Sequence, residues 1–125
     1  MQALSFGRAL ERVVKELRFM ELVDLLKRFF DGTANFAIPA DTKRAFSEIV
    51  FDIEVALARL RGDPEAAAIL QALQLDHLLD RASRTNLIAS FQAAGSQAEI
   101  IQNRIFWFVY YRVYAALCLQ QGFNS

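Results

Sequence analysis

Two pairs of carboxylates have the residue types and the spacing that could bind a metal ion. Glu48 and Asp52 are four residues apart, so on one helix they face the same side and repel unless a cation lies between them. Glu21 and Asp24 could supply a second pair from an earlier helix. Magnesium needs oxygen ligands that converge from more than one element. Two acidic helices are therefore the minimum for one hypothesis, a small Mg-dependent helical nucleotide hydrolase.

An ordinary structural role for these carboxylates is the simpler interpretation. Arg44 and Arg59, on the same predicted helix as Glu48 and Asp52, are placed to neutralise that pair. Ion pairs at such spacing are common on the solvated flanks of helices. The sequence therefore favours solvent-exposed ion pairs over a metal site for these carboxylates.

The histidine and the cysteine are each single in this chain. Asp80, three residues after His77, could orient the imidazole as a general base requires. One histidine excludes a histidine-rich metal site within one chain. Cys118 lies in the most apolar stretch, whereas a reactive thiol needs an accessible, electropositive place. We predict an exposed or helix-capping His77, a buried Cys118, and no catalytic residue, metal ligand or cofactor.

A basic face on the first predicted helix could hold phosphates or an acidic partner. It consists of Arg8, Arg12, Lys15 and Arg18, opposite the apolar residues of that helix. Two glutamates interrupt the face, and the whole chain has 14 basic and 14 acidic residues, for a formal net charge of zero. That balance disfavours a general nucleic-acid binder. A nucleic-acid-associated regulator that uses this face is an alternative hypothesis.

An aromatic stretch near the end of the chain is the strongest indication of an interaction surface. Arg112 is the only charged residue between positions 105 and 119, and it interrupts a run too short to span a membrane. Tyrosine, tryptophan and arginine are the residues typical of interface hot spots. Such a stretch should face water on no side, so other helices or a second subunit must cover it. The side opposite Arg112 carries Trp107, Tyr110, Tyr111 and Tyr114.

The first helical segment, residues 4–30, has apolar stripes that point in two opposite directions. The stripe changes side near Phe19–Glu21, at about 100° of rotation per residue. The helix therefore breaks there, or its two halves pack on different partners, as they would in a dimer. In the second case Phe29 and Phe30 belong to the interface. Residues 31–39 have the turn composition of a loop.

The middle of the chain contains one regular amphipathic helix and one interrupted segment. Residues 41–61 place apolar side chains at three- and four-residue steps on a single face. Asp63 should cap the next helix, with Pro64 at its first position. A second reversal of the apolar stripe predicts a bend near Gln74. The core face of the regular helix consists of Phe46, Ile49, Val50, Ile53, Ala56, Leu57 and Leu60.

Two further helices are predicted in the last third of the chain. The first spans residues 86–94 and is capped by Thr85. The second spans residues 97–121, and Ser96 and Glu99 have the spacing of a capping box at its start.

These features predict one all-α domain over residues 1–125, a compact bundle of five to six helices around the aromatic helix at 97–121. A hydrophobic fraction of 54% in 125 residues indicates that some apolar surface is buried between subunits. The single cysteine and the absence of an apolar leader in residues 1–9 suggest a cytoplasmic protein. The leading hypothesis is a non-catalytic interaction module, such as an adaptor, regulator or neutralising partner, that forms a homodimer through its aromatic helix.

Overall fold

A computed structural model describes residues 2–30 and 37–124, and this part of the chain is all helical. The all-α prediction is confirmed. The described residues form seven helices rather than five or six, because the predicted last helix is divided in two. In chain order the helices are α1 (Gln2–Glu16), α2 (Phe19–Phe30), α3 (Ala40–Leu60), α4 (Pro64–Ala72), α5 (Arg81–Ala93), α6 (Gln97–Ile101) and α7 (Arg104–Asn124).

Of the two alternatives for the first helical segment, the structure has the break, a few residues before Phe19–Glu21. Helix α1 ends at Glu16 and α2 begins at Phe19. Between them Arg18 adopts a left-handed backbone conformation, with φ of 53°. The turn allows the two opposite apolar stripes to face one core: Leu10 and Leu17 on one side of it and Leu22 on the other are all fully buried.

Helix α3 has the single core face that its periodicity predicts, and all seven residues of that face are buried. Its Phe46 stacks on Phe91 of α5, with ring centroids 4.1 Å apart and planes inclined by 8°. Phe29 of α2 and Phe106 of α7 both lie against Phe91, at centroid distances of 5.6 Å. Four helices therefore meet at one cluster of phenylalanines. The predicted loop at 31–39 lies mostly outside the described residues, but its Ile38 is buried.

The start and the end of α4 follow the sequence prediction. The Asp63 carboxylate accepts a hydrogen bond from the backbone N–H of Glu65 at 2.9 Å, and Pro64 takes the first helical position. Gln74 then adopts a left-handed conformation, with φ of 57°, where the bend was predicted. Helix α4 packs mainly against α1.

The predicted start of α5 is wrong by five residues. Asp80 caps the helix, because its carboxylate accepts a hydrogen bond from the Ser83 N–H at 2.8 Å. Thr85 was the predicted cap, but it lies inside the helix and donates its hydroxyl to the Arg81 carbonyl at 2.8 Å.

The predicted helix at 97–121 is divided into α6 and α7. Asn103 lies between them, and its side-chain oxygen accepts a hydrogen bond from the Ile105 N–H at 2.9 Å, which caps α7. Neither hydrogen bond of the predicted capping box forms, because a capping box requires the Glu99 carboxylate to accept from the Ser96 N–H. The Glu99 carboxylate accepts from the Gly95 N–H at 2.7 Å, while the Ser96 side chain makes no capping bond.

Helix α7 lies at the centre of the packing, because it contacts α1, α2, α5 and α6. The inner side of α7 is buried and carries Phe106, Val109, Val113, Ala116 and Leu117. Within residues 2–30 and 37–124, no helix is long and apolar enough to cross a membrane.

Candidate functional site

The outer side of α7 is an exposed aromatic surface, made of Trp107, Phe108, Tyr110, Tyr111 and Tyr114. This surface is called the aromatic face below. Phe108, Tyr111 and Tyr114 are 47%, 62% and 48% exposed, although large aromatic side chains are usually buried. The sequence indicated that α7 should face water on no side. Other described helices cover only its inner side, so the outer side is available to a partner.

Four of the five rings of the aromatic face, all except Phe108, contact one another. Trp107 and Tyr111 stack with centroids 5.6 Å apart, and Tyr110 and Tyr114 stack at 5.8 Å. Both pairs are four residues apart, the spacing that makes side chains neighbours on a helix surface. Phe30 of α2 extends the array by stacking on Trp107 at 4.0 Å. The four aromatic residues that the sequence placed together are therefore brought together.

Trp107 is held in place by contacts with two other helices. Its indole N–H donates a hydrogen bond to the carbonyl of Ile101 in α6, and its ring lies against Phe30. Phe29 was predicted with Phe30 as an interface residue, but it is only 2% exposed and contacts Phe91 edge to face. Phe29 is therefore a core residue of this chain, whereas Phe30 contacts Trp107 and Tyr110 of the aromatic face.

Phe108 and Cys118 of α7 are exposed, which the sequence analysis did not predict. The Arg112 guanidinium lies 5.4 Å from the centroid of the Phe108 ring, a cation–π contact. Arg112 is four residues after Phe108, so its charge could have indicated that Phe108 also faces outward. The prediction that Cys118 is buried is wrong, because the thiol is exposed. It lies two helical turns after Tyr111, on the same side of α7.

The four residues of the predicted basic face have different surroundings. Arg12 forms an ion pair with Asp63 at 2.8 Å, and the pKa of Arg12 is raised chiefly by this hydrogen bond. Arg18 is also bound to carboxylates, while Arg8 and Lys15 are exposed. Two of the four cations are thus already engaged within the chain, which weakens the case for a phosphate-binding stripe.

Arg18 also occupies the position where the acidic residues converge. Its Nε donates to Glu21 at 3.0 Å, and its other nitrogens reach the second Glu21 oxygen and Asp52 of α3. The hydrogen bonds from Arg18 to Glu21 lower the pKa of Glu21. Arg44 and Arg59, the expected partners of the acidic pair, lie instead 3.7 Å from other carboxylates. Glu21 and Asp52 therefore share one arginine, which links α2 to α3.

The remaining titratable candidates are spread over the surface. In the described ranges, no three histidine, cysteine, aspartate or glutamate residues group in a way that could hold a metal ion. The His77 side chain is 85% exposed, as predicted, and its Nε2 lies 4.0 Å from the carboxylate of Asp76. Asp80, the proposed partner of His77, is engaged as the cap of α5.

Together the fold and the surface define a small all-α protein that presents an aromatic helix face to solvent. No known protein family, curated protein sequence or solved structure matches this chain. Its function is therefore inferred from its own residues.

Proposed function

We propose that this protein is a non-catalytic interaction module that forms a homodimer by packing the aromatic face of one copy against that of another. The observation that carries the proposal is the exposure of three large rings on one helix, Phe108, Tyr111 and Tyr114. The single cysteine is compatible with the reducing cytoplasm, which we infer to be its compartment. An adaptor, a regulator or a neutralising partner of another protein would each use such a dimer.

The size of the exposed surface supports a binding role. With about 200 Å² for each aromatic side chain, the three half-exposed rings leave on the order of 300 Å² in contact with water. The largest apolar patch on a typical monomeric protein covers about 300–600 Å², and such patches are often functional. Tryptophan, tyrosine and arginine, which surround these rings, are also the commonest hot-spot residues.

The charge distribution favours a second copy as the partner. Helix α7 carries Arg104 and Arg112 and no carboxylate, and Arg112 lies over the ring of Phe108. Trp107, Tyr111 and Tyr114 leave the middle of the face without charge. In a two-fold dimer the same patch meets itself, so an uncharged centre avoids opposing like charges.

The rings are held in place before any partner binds. Trp107 is fixed by Phe30 and by its hydrogen bond to Ile101, and Tyr110 supports Tyr114. Side chains that are already ordered lose less rotamer freedom on association, which favours binding. Because the aromatic face is small, the dimer would bury less than about 1,200 Å² in total, an area typical of transient complexes. We therefore expect a dissociation constant in the micromolar range.

Sedimentation velocity over a concentration series tests the proposal with one matched pair of variants. Phe108→Ser removes a ring that is 47% exposed from the aromatic face, and Phe51→Ser removes a ring that is 62% exposed from α3. We expect the wild type and Phe51→Ser to dimerise as concentration rises, and Phe108→Ser to remain monomeric. A wild type that stays monomeric at high micromolar concentration contradicts the proposal. If both substitutions weakened dimerisation equally, the dimer interface would lie somewhere other than the aromatic face.

A further inference from the structure

A second surface feature is a cleft of about 780 Å³ at the junction of α3, α4, the α4–α5 linker and α5. Its volume lies within the range of small-molecule sites, about 300–1,000 Å³. Its apolar lining includes Leu70 and Leu79, which are 1% and 4% exposed. Its polar lining includes Arg61, Arg81 and Arg84. A cleft with an apolar base and several guanidinium groups has the composition of a site for a small organic ligand.

The walls of the cleft are connected by side-chain contacts. Arg61, directly after α3, donates from Nη2 to the backbone carbonyl of Asp76 at 2.5 Å. Arg84 of α5 forms an ion pair with Glu54 of α3. The end of α3 is thus tied both to the linker and to α5. A cleft that is held open in this way needs little ordering when a ligand enters.

The linker that forms one side of the cleft is fixed at both ends. At its start, the left-handed Gln74 allows the Leu75 N–H to bond the Leu70 carbonyl at 2.7 Å, the pattern of a Schellman motif. At its end, the Asp80 carboxylate caps α5. Between these points Leu75 and Leu78 are fully buried. The linker is therefore a positioned loop, the kind of segment that often carries binding residues.

Two of the three arginines keep their charge available to a ligand. Arg84 is neutralised by Glu54, but among the described residues neither Arg61 nor Arg81 has a carboxylate oxygen within 4.0 Å. Both side chains are exposed. A guanidinium presents paired N–H donors that match the oxygens of a carboxylate or a phosphate.

The carboxylates in the lining narrow the choice of ligand. Asp76 and Asp80 line the cleft beside the arginines, and Asp80 is occupied in part by the Ser83 N–H. Free carboxylate oxygens accept hydrogen bonds and repel a ligand that is only anionic. The lining therefore fits a molecule that combines an oxyanion with ammonium or hydroxyl donors.

We propose that this cleft binds a small organic oxyanion, a carboxylate or a phosphate ester that also carries ammonium or hydroxyl groups. Arg61 and Arg81 hold the oxyanion, Asp76 accepts hydrogen bonds from the donors, and Leu70 and Leu79 contact the carbon skeleton. The cleft shares no residue with the aromatic face, so the proposal does not depend on dimerisation.

A titration of the whole ¹⁵N-labelled protein, followed by amide chemical shifts, tests the proposal. The probes are O-phosphoserine, serine and inorganic phosphate, with sodium chloride at matched ionic strength as the blank. We expect saturable shifts in residues 74–84 with O-phosphoserine or serine, and weaker or no binding of inorganic phosphate, which has neither an ammonium group for Asp76 nor a carbon skeleton to contact Leu70 and Leu79. Saturation by O-phosphoserine but not serine identifies a phosphate site, and saturation by serine identifies a carboxylate site.

Variants connect these shifts to the arginines. Arg81→Gln should weaken binding about tenfold or more, the effect expected for losing a charged hydrogen bond. Arg61→Gln also removes the bond to the Asp76 carbonyl and should weaken binding at least as much. Arg59→Gln is the control, because Arg59 does not line the cleft and lies 3.7 Å from Glu16. Amide spectra of the variants establish that they remain folded. The proposal is overturned if neither serine nor O-phosphoserine produces saturable shifts beyond the chloride blank. It is equally overturned if Arg59→Gln weakens binding as much as the two cleft variants do.

Discussion

Phe30, the last residue of α2, stacks face to face on Trp107 of α7, with ring centroids 4.0 Å apart and planes inclined by 12°. Both rings are partly buried, so the stack connects the hydrophobic core to the exposed aromatic face. The Trp107 indole also donates to Ile101, whereas Tyr111 is 62% exposed. Trp107 should therefore contribute to folding as well as association, and Tyr111 mainly to association.

Alanine substitutions separate these two contributions. Truncation of a large buried aromatic costs about 3–5 kcal/mol, and partial exposure reduces the expected loss for Trp107→Ala to about 2–4 kcal/mol. Tyr111→Ala should change the free energy of unfolding by about 0.5 kcal/mol or less, as surface substitutions usually do. Urea unfolding, at a protein concentration where the chain is monomeric, measures the free energy of unfolding of both variants. Equal losses for the two variants would contradict the distinct roles of these rings.

Gln74 offers a substitution that should stabilise the protein. A left-handed backbone costs a non-glycine residue about 1–2 kcal/mol, which glycine avoids, although glycine gains more freedom in the unfolded chain. With φ of 57° at this position, Gln74→Gly should raise the free energy of unfolding by about 0.5–1 kcal/mol. Gln74→Ala retains the unfavourable backbone and serves as the control in urea unfolding. A destabilised glycine variant would show that the glutamine side chain has a role of its own.

The Asp63 cap should make stability depend on pH. The hydrogen bond from Arg12, followed by that from the Ala66 N–H, holds the pKa of Asp63 below its usual value. The pKa of Asp63 in the unfolded chain, about 3.9, is therefore higher than its pKa in the folded chain. Folding thus favours the charged form of Asp63. The stabilisation is present above the unfolded pKa and is lost as pH falls through the folded pKa.

The variant Asp63→Asn tests this dependence because asparagine is an equally good cap without the charge. Wild type should exceed Asp63→Asn in thermal stability near neutral pH, and the difference should shrink below about pH 4. Thermal unfolding followed by circular dichroism over a pH series measures the difference. A constant difference between the two proteins down to low pH would argue against a contribution from the Asp63 charge.

The fold was predictable where the apolar residues of a helix recur on one face along its whole length. In α3 that phase is continuous, and the predicted face is the buried face. In α7 nearly every position is apolar or aromatic, so periodicity carries no information about which side faces inward. The orientation is set by the packing of Phe106 against Phe46 and Phe91, at centroid distances of 5.7 and 5.6 Å. Contacts between distant parts of the chain cannot be derived from local spacing.

The same limit explains why some ion-pair partners and some helix boundaries were predicted wrongly. The Arg18–Asp52 pair joins positions 34 residues apart, so only the tertiary fold reveals that Arg18, rather than Arg44 or Arg59, neutralises Asp52. The polar residues Gln102, Asn103 and Arg104 interrupt the apolar segment, and Asn103 can cap a helix, which was a local sign that α7 begins there. The cleft at the α4–α5 linker brings together residues of four segments, and no local motif in the sequence predicts it.

Cys118 provides a reporter of the proposed dimer without any substitution. Its thiol is exposed and lies two helical turns after Tyr111, on the side of α7 that carries the aromatic face. We expect an alkylating reagent to modify Cys118 readily at low protein concentration. The rate should fall as protein concentration rises through the dimer dissociation constant, because association covers this side of the helix.

Tyr111→Ser provides the control for this reaction, since it should abolish the concentration dependence without changing the rate at low concentration. Phe51→Ser, on α3, should leave the wild-type behaviour intact. Stopped reactions analysed by intact mass spectrometry give the modified fraction directly. Wild-type rates that stay constant while sedimentation detects a dimer would place the dimer interface away from Cys118, and the aromatic face would then not be the surface that associates.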